Sequence, residues 1–155
     1  MKKISDNNSV THKRKDNNME PRFSILTLGV NDLEKSFKFY NEGLGFPSKG
    51  IVGKEFENGE AAFFDLENGF KMAIYSRKNL AWDSQIAESS PSPTEFSIGY
   101  LTKNKDEVDK IMKLAEKAGG VITKPAQKAF WGGYSGYFQD PDGHLWEILW
   151  SAIDS

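Results

Sequence analysis

The 155-residue chain contains no cysteine, and that absence removes disulfides, thiolate nucleophiles and zinc–sulfur sites together. Histidine is nearly absent as well. His12 and His144 are the only two, too few for an imidazole-based metal centre with about three protein ligands. Charge of one sign is missing: 20 basic residues against 22 acidic ones leave a net −2. Neither nucleic acid nor an anionic membrane is therefore expected as a partner. No apolar run approaches the roughly 20 residues of a membrane helix. The first 20 residues also lack the apolar stretch of a signal peptide, so a cytoplasmic setting is expected. There is no Gly-x-x-x-x-Gly-Lys phosphate loop, and Gly133-Tyr134-Ser135-Gly136 has the wrong spacing for a nucleophile elbow.

What is present falls into a polar opening and a patterned remainder. Residues 1–20 are rich in Asn, Lys and Asp and too poor in apolar side chains to offset their ordering entropy, so a disordered tail is expected. Its basic patch, Lys13-Arg14-Lys15, reads as solvated. From Phe23, FSILTLGV is strand-like. NDLEKSFKFYNEGLGF then changes to helical spacing, with Leu33, Phe37, Tyr40 and Leu44 on one face and Asn31 as the expected cap. GIVGKEFEN, EAAFFDLE and FKMAIYS follow as strands, separated by Asn58-Gly59 and Asn68-Gly69, both hairpin signals. The first half reads β-α-β-β-β.

The second half repeats it. FSIGYLT is a strand, and NKDEVDKIMKLAEKAGG is a helix with Val108, Ile111, Met112 and Ala115 on one side. VITKPAQKAFW, YSGYFQD and GHLWEILW are strands, with Asp142-Gly143 as the last turn. The two Phe-Ser-Ile triplets start at residues 23 and 96, and the two late turns start at 68 and 142. That agreement points to an internal duplication. The expected fold is α+β: two tandem βαβββ modules, about 22–77 and 95–151, forming a curved mixed sheet around a cavity within a domain spanning 21–152. Residues 78–94, ending in Ser-Pro-Ser-Pro, read as the linker.

The most unusual stretch is FWGGYSGYF, residues 130–138, with five aromatic rings and three glycines. Phe130, Trp131, Tyr134 and Tyr137 are candidates to line a cavity for a flat or apolar ligand. The alternative is that the rings fill core or a subunit seam. Gly132, Gly133 and Gly136 allow close backbone approach, to a ligand or to another strand. Glu147 follows in an apolar strand, on the face of Leu145 and Leu149 and opposite Trp146, Ile148 and Trp150. A carboxylate there needs a partner or a wet cavity. It reads either as a general base or substrate anchor, or as a structural group paired at a sheet edge. Tyr100, on the first strand of the second half, and Trp82, in the linker, complete the candidate set. His144 reads as an acid–base group or as part of the hairpin.

ILTLGVNDLEKSFKFYNEGLGF and the closing FWGGYSGYFQDPDGHLWEILW resemble the vicinal oxygen chelate superfamily, which includes glyoxalase I, extradiol dioxygenases and the fosfomycin and bleomycin resistance proteins. The resemblance covers roughly residues 22–151. It implies a cavity where metal ligands, when present, come from the first and last strands of each module. Here those positions hold Ile25 or Thr27, Met72 or Ala73, one of Phe96, Ser97 and Ile98, and Glu147. Only Glu147 is a customary ligand. The expectation is no family-type metal site, with a weakly held divalent ion as the most the resemblance leaves open. His144 falls on the strand face opposite Glu147, so those two do not converge.

Three functions follow as expectations. The favoured one is binding of a small, partly aromatic or apolar molecule, as in bleomycin-resistance-like members. The second is an enzyme of the superfamily, a lyase, isomerase or dioxygenase using Glu147. The third is a protein-partner or ligand-sensing module. A homodimer is implied by the resemblance.

Overall fold

A computed structural model describes Met19 and residues 22–152. The rest of the polar tail, with His12 and Lys13-Arg14-Lys15, lies outside the described residues. The element order is β1 Ile25–Val30, α1 Leu33–Lys38, β2 Ser48–Val52, β3 Ala61–Asp65, β4 Lys71–Ser76, α2 Arg77–Ser84, β5 Ser97–Leu101, α3 Lys105–Ala118, β6 Val121–Lys128, β7 Tyr134–Gln139 and β8 Leu145–Trp150.

The strands form two four-stranded sheets of one topology, β1-β4-β3-β2 and β5-β8-β7-β6. In each, the first strand runs parallel to the last and the other neighbours are antiparallel. This is the expected α+β pair of βαβββ modules. The duplication seen in the sequence is a duplication of the fold. No described helix is long and apolar enough to cross a membrane.

Local signals account for most boundaries. Asp32, not Asn31, caps α1, accepting from Lys35 N at 2.9 Å. Asn31 is held elsewhere: its backbone N–H donates to Asp142 Oδ1 of the other module at 2.7 Å. After Lys38 the helix widens into a π turn over Phe39–Gly43, with Leu44 N bonding Phe39 O at 2.9 Å. The wider turn places Phe39 and Tyr40 in succession in the core. Asn104 caps α3, and Gly119 ends it with φ 107.

Three expectations change. The strand expected over 50–58 stops at Val52, because Gly53 adopts φ 82 and residues 53–59 fold into turns. Asn58-Gly59 thus lies in an eight-residue connection, whereas Asn68-Gly69, both at positive φ, makes the tight turn its sequence predicts. The linker region opens with a helix, α2, capped by Ser76 and ended by Gln85 at φ 59. Leu80, Ala81 and Trp82 are consecutive, so no helical spacing advertised it. Pro125 lies inside β6, tolerated because β6 is an edge strand with a shifted register there.

The modules meet through their helix-bearing faces. One cluster joins Leu28, Val30, Phe64, Met72 and Ile74 of the first sheet to Phe138, Trp146 and Ile148 of the second, with Tyr40, Val108, Met112 and Ala115 between. Phe138 and Trp146 stack with an interplanar angle of 5°. A Cβ on Gly136 would stand 2.8 Å from Met112 Cε and 2.9 Å from Ala126 N, so this glycine serves the approach of α3 and β6, not of a ligand.

A polar bolt crosses this core. Tyr40 OH donates to Asp140 Oδ2 at 2.6 Å and accepts from Trp146 Nε1 at 3.2 Å. Burial, reinforced by the neighbouring Asp140 carboxylate, holds the Tyr40 phenol above its ordinary range, so it remains a donor. Asp140 is itself buried. Burial alone would raise its pKa; the hydrogen bond and charge of His144, with the Tyr40 bond, outweigh that and lower it.

Two outcomes follow for stability. Tyr40→Phe leaves the buried Asp140 one donor short and is expected to cost about 1.5–3 kcal/mol, read from the urea midpoint at unchanged slope. An unchanged midpoint would show that the hydroxyl does not fasten the modules. Because the folded pKa of Asp140 is depressed, its contribution is present above the unfolded carboxylate pKa of about 4 and is lost as pH falls through the folded value. Acid unfolding followed by circular dichroism is expected to flatten below about pH 4 in Asp140→Asn relative to wild type.

Candidate functional site

Strand alternation leaves each sheet a second face, turned away from the helices. On the second sheet it carries Glu147 and Leu149 from β8, Tyr137 from β7 and Gly99 from β5. Register places Gly99 and Tyr137 on either side of Glu147. Glu147 and Tyr137 are half-buried, and Leu101 is 49% exposed. Tyr137 is held above its ordinary phenol range, by burial first and then by the neighbouring Glu147 carboxylate. Lys124 Nζ lies over the Tyr137 ring at 5.8 Å. Gly99 opens a notch beside the carboxylate: a Cβ there would meet nothing nearer than Leu149 Cδ2 at 3.8 Å.

The corresponding face of the first sheet is less polar. Thr27, Phe63, Ala73 and Tyr75 line a shallow hollow of about 230 Å³. Tyr75 OH donates to Asn58 O at 2.5 Å, which pins the β2–β3 connection at its edge.

The structure does not gather the sequence-predicted set. Only Tyr137 joins Glu147. Tyr134 alternates to the helix side and gives its hydroxyl to Asp109 Oδ1 at 2.8 Å. Tyr100 pairs with Ile148, also on the helix side, where burial first and then Glu107 and Glu67 raise its pKa. Phe130 stands fully exposed and Trp131 42% exposed in the β6–β7 connection, where the Trp131 ring lies against Gly133. Trp82 is 62% exposed on α2. On β7 the strand period of two sends Tyr134 and Tyr137 to opposite faces, while Phe130 and Trp131 lie beyond the strand and Trp82 on a helix.

Sequence reasoning missed the Asp140 network. Asp140, Asp142 and His144 offer atoms within 4.8 Å of one another, as a metal site would. Each of the four carboxylate oxygens already accepts at least one hydrogen bond. Asp140 Oδ1 accepts from Asp142 N and His144 N, Oδ2 faces Tyr40 OH and His144 Nδ1, and Asp142 accepts from Asn31 N and Ser36 Oγ. An ion there would compete with these donors. A tyrosine on an apolar helix face, needing a hydroxyl partner, was the signal available.

Comparison with known proteins fits this geometry. The family model of the Glyoxalase/Bleomycin resistance protein/Dioxygenase superfamily matches residues 22–148. The chain belongs to that superfamily. It is 33% identical over 127 residues to the uncharacterized protein YraH of Bacillus subtilis, covering 79% of this chain and 93% of that one. A glyoxalase-related enzyme from Fulvimarina pelagi is 34% identical, with a TM-score of 0.74 over 86% of this chain and 91% of the other. A Glu-to-Gln mutant of the fosfomycin resistance protein FosX of Listeria monocytogenes, complexed with Mn(II) and a dihydroxypropylphosphonic acid, is 25% identical. Its TM-score is 0.60 over 84% of this chain and 90% of its own.

A metal such as the Mn(II) of the FosX complex does not fit the residues on these faces. At the ligand positions, Thr27 pairs with Ala73 and Glu147 with Gly99. Ser97 shares the Glu147 face, Ile98 turns to the other, and Phe96 precedes the strand. One carboxylate with hydroxyls is a poor donor set for a divalent transition ion. Elemental analysis of the purified protein, followed by Mn²⁺, Ni²⁺, Fe²⁺ and Zn²⁺ titration, is expected to give no stoichiometric ion and no micromolar binding. A stoichiometric ion lost in Glu147→Ala would overturn this ligand count.

Proposed function

We propose that this protein binds a small molecule with a flat, largely apolar body on the Glu147 face, through direct hydrogen bonding and without a family-type metal. One observation carries the reading. A half-buried carboxylate sits among leucines, with a phenol as its neighbour and an open glycine notch beside it. A carboxylate so placed favours a ligand N–H or O–H, while Leu101, Leu149 and the Tyr137 ring supply apolar area. The reading includes a cytoplasmic setting, no nucleic-acid or membrane partner, and a homodimer. The last is supported by the exposed Ile25, Phe63 and Leu101 on the sheet faces, and light scattering tests it.

A second reading, turnover with Glu147 as general base, is favoured by the likeness to the Fulvimarina pelagi enzyme. Glu147→Gln separates the two: loss of turnover with affinity kept marks the enzyme.

For the binder, a panel of flat aromatic amines and alcohols screened by calorimetry is expected to yield ligands that Glu147→Gln weakens about 10- to 100-fold. Gly99→Val, which fills the notch, is expected to abolish their binding with the thermal midpoint within a few degrees of wild type. Ligands indifferent to both substitutions would sink the assignment.

A further inference from the structure

A second recess lies where the linker crosses the junction of the modules. The α2 helix, the segment 86–96 and the β7–β8 hairpin enclose a cleft of about 360 Å³, and Glu147 is not among its walls. One wall is apolar, formed by Leu80, Ile86, Phe96 and Leu145. Arg77 lines another. Its Nη2 donates to Gly29 O at 3.0 Å, while Nε is buried with no acceptor. Among the described residues no carboxylate forms an ion pair with it.

A guanidinium held this way is costly, since a buried donor without an acceptor forfeits its solvation. Its planar fork suits a carboxylate. The cleft also contains Glu88 and Glu95, both exposed, whereas the oxygens of its third carboxylate, Asp142, accept from Asn31 N and Ser36 Oγ. A simple anion would meet two acidic side chains on the way in. A simple cation would leave Arg77 unmatched. A ligand carrying both charges satisfies both.

We propose that this cleft binds a free amino acid, or an amino carboxylate of like size, with an apolar side chain. Its carboxylate lies on Arg77, its ammonium toward Glu88 and Glu95, and its side chain against Leu80, Ile86 and Phe96. The volume suits a ligand of that size, at the lower end for small-molecule sites. Every residue from Trp82 to Ser97 is exposed, so this strap can lift to admit a ligand and expose the Arg77 edge beneath.

Calorimetry on the full chain tests this with L-phenylalanine, phenylpropionate and phenethylamine. L-Phenylalanine is expected to bind, with each single-charge analogue at least about tenfold weaker. Arg77→Gln, checked for folding by circular dichroism, is expected to bring L-phenylalanine down to the level of phenethylamine. Ile86→Asp, at an exposed position, is expected to weaken L-phenylalanine and phenylpropionate without touching the Arg77–Gly29 bond. Should Arg77→Gln fail to fold, the analogue ranking and Ile86→Asp decide. No L-phenylalanine binding at millimolar concentration, equal binding of phenylpropionate, or indifference to Ile86→Asp would overturn the proposal. Glu147→Gln is expected to leave L-phenylalanine binding unchanged, which keeps this site distinct from the sheet face.

Discussion

The buried carboxylate of Asp140 is where the two modules are fixed to one another. An ionised group in an apolar core is tolerable only when its oxygens are met, and here backbone N–H groups of its own hairpin, an imidazole and a phenol from the other module all converge on it. Apolar contact between the π turn after α1 and the second sheet, Phe39 on Phe138 and Tyr40 on Trp146, is non-directional, and it would tolerate sliding. The hydroxyl of Tyr40 does not. Together with Asp142, which engages Asn31 and Ser36, the hairpin turn grips both ends of α1 and sets one relative position of the halves.

That fastening decides what remains available for binding. With both helix-bearing faces in a common core, each sheet keeps its other face at the surface, and the strand period places Glu147 and Tyr137 there. The same period explains why an aromatic-rich segment does not become an aromatic-lined cavity. Tyr134 and Phe138 serve the core, Tyr137 alone faces the carboxylate, and Phe130 and Trp131 lie beyond the strand. Gly136 and Gly133 answer to packing, while Gly99, which no motif singled out, shapes the space beside Glu147.

The linker is more than a tether. The α2 helix packs on β1 and β4, and the exposed strap after it closes a second recess against the hairpin that fastens the modules. Arg77 couples these features, since its guanidinium holds the Gly29 carbonyl on β1 while lining the recess.

The sequence by itself determined the duplication, the strand and helix order, the helix faces, the Asn68-Gly69 turn and the side of β8 on which Glu147 stands. All of these rest on local periodicity and turn chemistry, which act between residues close in the chain. It also carried the family resemblance and the poverty of metal donors. Tertiary structure alone decided the rest. The partners of Tyr40 and Asp140 are a hundred residues apart, the Arg77 environment is assembled from both modules, and Gly99 meets Glu147 only through parallel pairing across an intervening helix. Where α2 replaces a presumed loop and Asp32 displaces Asn31 as cap, the local signal was weak or shared: packing on β1 and β4 holds α2, and the bond to Asp142 of the other module holds Asn31.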